Sequence, residues 1–219
     1  MAQELQFSAL ILLGGGGHAR VLRDVLEQLG WCSSVLGVLA PRMSAEEQAA
    51  LALPWLGGDE RLADFSPESV GLVLGVGSVG SGGGRMALYR SARERGFGFA
   101  TLRHPTAWIA SKVQLGMGVQ VMARAVIQTG AVVGENGLIN TGAVVEHDCR
   151  LADHVHVASG AVLSGGVRVG PGVHVGAGAV VRQGIEIGAG AVVGAGAVVV
   201  RNVRQGVVVM GCPAGEKRR

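Results

Sequence analysis

The residues of this chain best suited to moving a proton stand together at Glu146-His147-Asp148. They lie inside the run Asn140-Thr141-Gly142-Ala143-Val144-Val145-Glu146-His147-Asp148-Cys149-Arg150, with Asp153, His154 and His156 close behind. Imidazole ionises near neutrality, and a carboxylate beside it orients the ring and strengthens it as a general base. His147 has an acid on each side, so these residue types suit removal of a proton from an attacking nucleophile. A lone exposed histidine is usually a solvated surface group, and His154 is read that way. Asp153 reads as a turn residue.

Something must hold these groups, and the repeat says what. From Ile109 to Val199 an aliphatic residue returns at every sixth position, through Leu115, Val121, Ile127, Val133, Ile139, Val145, Leu151 and Val157 and onward without a slip. Six fits neither a helix nor an alternating strand. It is the period of a solenoid whose triangular coils each take three hexads. Four places after each aliphatic residue stands a small or apolar one, such as Ala125, Ala131, Gly137, Ala143 and Cys149. Glycine often follows the aliphatic residue directly, as at Gly116, Gly134, Gly170, Gly176, Gly188 and Gly194, and is expected to permit the tight bend. Each hexad is then a two-part unit, a short strand and a turn, with strands of successive coils pairing in parallel.

Residues eighteen apart should therefore overlie one another. Gly165 falls one coil beyond His147 and offers an unobstructed backbone N–H, a suitable donor to a developing oxyanion. His156 and His174 are expected to stack. His156 is half a coil from His147, so within one chain the two face different edges. They share a site only if a neighbouring subunit brings them together.

The first half reads differently. Ala9 to Leu13 is a buried strand, Gly14-Gly15-Gly16-Gly17-His18 follows at once, and Ala19 to Leu29 has helical spacing. Strand, glycine-rich turn and helix make the phosphate-binding start of a doubly wound sheet, where free N–H groups at the helix start meet an anion. A second strand is expected at Val35 to Leu39 and a third at Leu72 to Val76. The third leads through Gly75-Val76-Gly77-Ser78 into a helix containing Arg85 to Arg95. Two such loops flank the crevice in which these sheets bind ligands. No acid follows the second strand, which reads Gly37-Val38-Leu39-Ala40, so an NAD-dehydrogenase reading is disfavoured.

Composition divides the chain at the same place. Every Trp, Tyr and Phe lies at or before Trp108, giving a first domain over 1–108 and a second over 109–219. The 38 glycines follow the hexads in order, unlike a disordered or collagen-like chain. A net charge of +3, dispersed except for Lys217-Arg218-Arg219, gives little ground for nucleic-acid binding. Polar residues interrupt every apolar run before a membrane-spanning length. The start Met1-Ala2-Gln3-Glu4 lacks secretory character, and three scattered cysteines suit a reducing compartment, so the protein is expected in the cytoplasm.

The chain resembles hexapeptide-repeat acetyltransferases acting on sugars in bacterial surface-glycan synthesis. These include bacillosamine-pathway and perosamine N-acetyltransferases and sialic-acid O-acetyltransferases. The resemblance runs nearly its whole length. It rests on Gly14 to His18, Arg103-His104-Pro105, Ile139-Asn140-Thr141-Gly142, Val145-Glu146-His147-Asp148-Cys149 and Gly211-Cys212-Pro213-Ala214. It implies a small Rossmann-like α/β domain followed by a left-handed parallel β-helix, in a homotrimer with active sites between subunits. It implies acetyl-CoA as co-substrate, no metal, and a nucleotide sugar as the other partner. His147 is then the base, Asp148 and Glu146 its flanking acids, and Asn140 a neighbour of the acetyl acceptor. His156 of an adjacent subunit meets the thioester, and the Gly165 N–H supports its oxygen. Ala177 and Ala195 leave a corner open for the pantetheine arm. Gly15, Gly16, Gly17 and His18, with Gly77, Ser78 and Arg85 of the second loop, hold the nucleotide sugar. Two departures bear on specificity. Leu39-Ala40 stands where many relatives carry acids, and Gly215 follows Ala214 where a basic residue is usual.

The expected reaction is N-acetylation of a UDP- or GDP-linked amino sugar. O-acetylation of a sialic acid is the alternative within the same class. A zinc lyase of the γ-carbonic-anhydrase type would want a further histidine upstream, and none lies between Pro105 and Glu146. A non-catalytic scaffold would leave the glycine-rich turn and the Glu146-His147-Asp148 corner without a purpose.

Overall fold

The computed structural model describes residues 3–78 and 83–217. Met1 and Ala2 of the acidic start, and Arg218 and Arg219 of the basic terminal cluster, lie outside the described residues.

Four parallel strands open the chain: β1 (Ala9–Leu13), β2 (Val35–Leu39), β3 (Trp55–Gly57) and β4 (Val70–Leu74), in the order β3-β2-β1-β4. Leu10 to Leu13 of β1 are fully buried, because the central strand is covered on both faces. Helix α1 (Gly17–Gln28) buries Ala19, Leu22, Val25 and Leu26, one stripe at helical spacing. Helix α2 (Ala45–Leu51) starts at Ser44 with a reciprocal capping box to Glu47, and α3 (Gly83–Glu94) follows β4. The strand expected at 72–76 is displaced to Val70–Leu74 and is fourth in the chain. Gly75 ends it early: its N–H donates to Leu13 O, 2.7 Å away, and a Cβ there would lie 2.5 Å from Gly14 O. The unexpected β3 has three residues after Pro54, too few to show a period. Helix α1 begins before Ala19 because Gly16 already serves as its N-cap without a side-chain bond.

The second half is a left-handed parallel β-helix. Its two-residue strands stack every eighteen residues into three faces. The first face carries Leu102–Arg103, Gln120–Val121, Leu138–Ile139, His156–Val157, His174–Val175 and Val192–Val193. The second carries Trp108–Ile109, Val126–Ile127, Val144–Val145, Val162–Leu163, Val180–Val181 and Val198–Val199. The third carries Gln114–Leu115, Val132–Val133, Arg150–Leu151, Arg168–Val169 and Glu186–Ile187. From Val121 to Val199 the second residue of each strand points inward and is buried. Left-handed crossovers are the exception among parallel connections.

The glycines after the aliphatic residues do not make the bend. A Cβ on Gly116, Gly170, Gly176 or Gly188 would lie 2.5–2.7 Å from a backbone nitrogen of the next coil, so close stacking of coils requires them. The bend comes two residues later, in the left-handed region, at Gly118, Gly142, Gly160 and Gly166 among others (φ 66–69°). Arg124, Asn136, Asp148 and His154 take the same conformation without being glycine, with φ of 55–62°.

The two halves share a core. Ala19 and Leu22 of α1 and Leu10 and Leu12 of β1 belong to one buried cluster with Leu102, Met122 and Leu138 of the solenoid's first face. Helix α1 thus docks on that face with its first turn beside Gln120. No helix among the described residues is long and apolar enough to cross a membrane.

Candidate active site

Two groups of histidines result, on different edges of the prism. The first is at the corner between the second and third faces. Val145 points into the core, and the turn that follows throws His147 outward. His147 Nδ1 lies 2.8 Å from Asp148 Oδ2, and both side chains are more than half exposed. With Nδ1–H donating to the carboxylate, Nε2 keeps the lone pair that can take a proton. Asp148 holds φ +59°, where most coils have glycine, so its carboxylate is kept at some backbone cost.

Glycines bracket this pair. A Cβ on Gly165, one coil on, would stand 2.5 Å from His147 Nε2, and a Cβ on Gly130, one coil back, 2.5 Å from Asp148 Oδ1. The Gly165 carbonyl accepts from Gly184 N at 3.0 Å, while its own N–H has no partner among the described residues. Glu146 pairs its backbone N–H with Leu163 O. Its carboxylate has no partner among the described residues, so only one of the two acids flanking His147 engages the ring.

The second group lies where the first half meets the solenoid. His156 is 7% exposed. Its Nδ1 is 2.9 Å from Ser78 O and its Nε2 3.3 Å from Asn140 Nδ2. Asn140 Oδ1 accepts from Thr141 N at 2.8 Å, which fixes the amide orientation. His156 therefore carries its proton on Nδ1. Burial, then the fields of His174, Arg85 and His18, push its pKa down to about 4 against the opposing Ser78 bond. His174 packs edge-on at 4.8 Å between ring centroids, as the eighteen-residue register requires.

The glycine-rich loops reach the same place. His18, in the first turn of α1, sets its Nε2 2.8 Å from Gln120 Oε1, and Gln120 Nε2 donates to Leu74 O at 3.0 Å. Burial lowers His18 to about 4, opposed by the Gln120 bond and helped by Arg85. Arg85 is itself buried. Its Nη1 donates to Leu74 O (3.1 Å) and Val76 O (2.7 Å), and desolvation brings its pKa down to about 9. Gly15 lies under Met43, a Cβ on Gly77 would stand 3.6 Å from His18 Cβ, and the space beside Gly16 is open.

The expected site residues thus fall into two sets. His147, Asp148 and Gly165 share one corner. Asn140 and His156 share another with His18, Gly77, Ser78 and Arg85, so Asn140 is not a neighbour of His147 within one chain. Both ring nitrogens of His156 are occupied inside its own chain. Ala177 and Ala195 are exposed and stacked on the corner between the first and second faces, on Asn140's edge further along the axis. The sequence reading missed Gln120 and Gly130. Each sits in register with a residue already singled out: Gln120 two coils before His156, Gly130 one coil before Asp148.

Comparison with known proteins gives this geometry a context. Residues 9–80 match the family described as PglD N-terminal domain, and residues 166–201 match bacterial transferase hexapeptide (six repeats). Among solved structures, the chain is similar to a histidine-to-asparagine variant of perosamine N-acetyltransferase from Caulobacter crescentus in complex with CoA and GDP-perosamine. The two are 35% identical over 99% of this chain and 100% of that one, with a TM-score of 0.87. It is likewise similar to the acetyltransferase domain of PglB from Neisseria gonorrhoeae FA1090 in complex with acetyl coenzyme A, at 34% identity over 96% and 100%, TM-score 0.87. WeeI from Acinetobacter baumannii AYE, 22% identical over 95% and 99% with a TM-score of 0.83, shares the fold.

Proposed function

Since the chain belongs to the hexapeptide-repeat N-acetyltransferases that join a PglD-type N-terminal domain to a β-helix, we propose that it transfers acetyl from acetyl-CoA to the amine of a nucleotide-linked amino sugar, with His147 as general base. The observation that carries this reading is the oriented, open His147–Asp148 pair with a bare glycine beside its free nitrogen. The sugar amine attacks the thioester carbonyl and forms the new C–N bond. His147 Nε2 takes the proton that the nitrogen sheds, and the C–S bond breaks. The thiolate of CoA leaves and takes up that proton from the imidazolium. The Gly165 N–H supports the negative oxygen of the tetrahedral intermediate. No acyl-enzyme is required, because a deprotonated amine is already a capable nucleophile.

In this reading the α/β half holds the nucleotide sugar and the β-helix the acetyl donor, the β-helix beginning with Leu102–Arg103 and Trp108–Ile109, ahead of the boundary expected at 108/109. Gly15, Gly16 and Gly17 with the start of α1 offer N–H groups to the diphosphate, and Arg85 lends positive charge behind the second loop. The two histidine groups act together in a trimer. The second face presents Trp108, Val126, Val144, Val162, Val180 and Val198 outward in an apolar ladder, with Trp108 64% exposed. Burying that ladder against a second copy sets the His147 corner of one subunit beside the Asn140–His156 edge of the next. Ala177 and Ala195 then leave room for the pantetheine arm, and His156, its nitrogens already bound, forms wall rather than ligand.

Acetyl-CoA and a panel of UDP- and GDP-linked 4-amino sugars test the reading directly. We expect thiol release matched by an acetyl mass gain on one of them. His147→Ala should lower kcat by about 10²–10⁴-fold with CoA binding retained. Unchanged turnover in that variant would remove His147 from the chemistry.

A further inference from the structure

Gln120 is a solenoid residue, 1% exposed, whose side-chain hydrogen bonds among the described residues both go to the first half, to His18 and Leu74. We propose that Gln120 is a positioning residue for the sugar site, fixing His18 with its proton on Nε2 so that Nδ1 stays an acceptor for a hydroxyl or amine of the nucleotide-linked sugar. The use of Nδ1 rests on the functional reading above. The assignment of the proton does not.

The geometry leaves one arrangement. Leu74 O can only accept, so the amide nitrogen of Gln120 must face it, at 3.0 Å. The amide oxygen then faces His18 Nε2 at 2.8 Å and can only accept, so the ring donates from Nε2. The ring is neutral at physiological pH, since burial and the nearby Arg85 charge disfavour a second proton. Nδ1 therefore carries a lone pair and has no partner among the described residues. Around it stand Arg85 from α3, which only donates, and neutral His156 from the solenoid. The start of α1 beside open Gly16 also offers only N–H donors. These donors match phosphate oxygens. An acceptor among them matches a group that brings its own hydrogen.

The test begins with the unaltered chain. Nitrogen-15 NMR of the histidine rings should show His18 protonated on Nε2 and bare on Nδ1 from pH 8 down to pH 5. A proton on Nδ1, or titration near 6.5, would overturn the proposal without any variant having to fold. Gln120→Glu places a carboxylate against Nε2, favours the doubly protonated ring and removes the acceptor. Gln120→Met removes the constraint on the ring. In both, KM for the sugar should rise about tenfold, as for one lost hydrogen bond, while KM for acetyl-CoA holds within about twofold. If the wild type acetylates the sugar but both variants keep its KM, or raise both KM values alike, Gln120 is only interface packing. If the wild type acetylates no nucleotide-linked amino sugar, the functional reading fails and the role of Nδ1 with it, whichever proton assignment is found.

Discussion

His147 and His156 are nine residues apart in one repeat, yet the fold treats them in opposite ways. His147 stands more than half exposed on a corner, held by a carboxylate. His156 is shut between Ser78 O and Asn140, neutral and driven down to about 4. The strand gives the reason. His147 lies in a turn, where side chains leave the prism. His156 lies on a strand of the first face, over which the first half closes. An imidazole that must gain and lose a proton needs water or substrate at one nitrogen and a carboxylate at the other. An imidazole that must hold a shape needs both nitrogens satisfied and its charge suppressed.

The largest expected effect is of pH on the buried group. His18 and His156 have folded pKa values near 4 and an ordinary value of 6.5. Between those limits the unfolded chain binds more protons, so stability must fall as pH drops from about 6.5 towards 4. Each ring contributes on the order of 3 kcal/mol over that window. Arg85 and His174 face the cluster and act in the same direction. Urea midpoints taken at pH 7 and pH 4.5 would measure the loss. A midpoint flat across the window would mean that these rings accept charge freely and are not shut away from water.

Next in size is Gly165→Ala. The added methyl would lie 2.5 Å from His147 Nε2, so the ring must turn away and lose its alignment with Asp148. A misplaced base should lower kcat by about 10²-fold, while the melting temperature holds, because the added methyl meets only the exposed His147 ring, which can swing into solvent. A variant with full activity would show that Nε2 does not work from this position. The same substitution at Gly166 is a different experiment: φ there is +67° with open space around it, so alanine strains the backbone and spares the base.

Much of this contrast is legible in the chain. The period of six identifies the inward residues, and eighteen-residue register alone sets Gly165 against His147 and His156 against His174. What is not legible depends on docking. Nothing local in Gln120 tells that α1 will close over it, because that contact spans 102 residues and is decided by Ala19 and Leu22 packing on Leu102 and Leu138. The direction of His156 is hidden for the same reason, since the first half covers one face of three. Strand β3 is lost because three residues carry no period. The bend glycines are misread because two glycine positions share each turn, one serving close stacking and the other φ, and composition does not distinguish them.

Asp148→Gly sharpens the comparison from the backbone side. It removes the carboxylate from His147 Nδ1 and leaves a residue that accepts φ +59° without strain. The expected result is a kcat about tenfold lower with stability unchanged or slightly raised, read from initial rates and a urea curve on the same preparation. A loss of stability instead would make Asp148 a structural residue of the turn.

The smallest effect isolates that backbone cost. Arg124 has the same left-handed conformation, with φ +56°, and is exposed. Its N–H bond to Thr106 Oγ1 does not involve its side chain. A left-handed residue other than glycine costs roughly 1–2 kcal/mol, and glycine returns about 0.4–1 kcal/mol of that through the freer unfolded chain. Arg124→Gly should therefore stabilise the protein by about 0.5–1 kcal/mol, seen as a higher urea midpoint, with kcat and both KM values unaltered. Aspartate tolerates this region better than arginine because its short side chain bonds locally, so the gain should exceed that of Asp148→Gly. If the two gains were equal, the carboxylate of Asp148 would contribute nothing to stability where it stands, and its retention in place of the usual glycine would rest on its service to His147 alone.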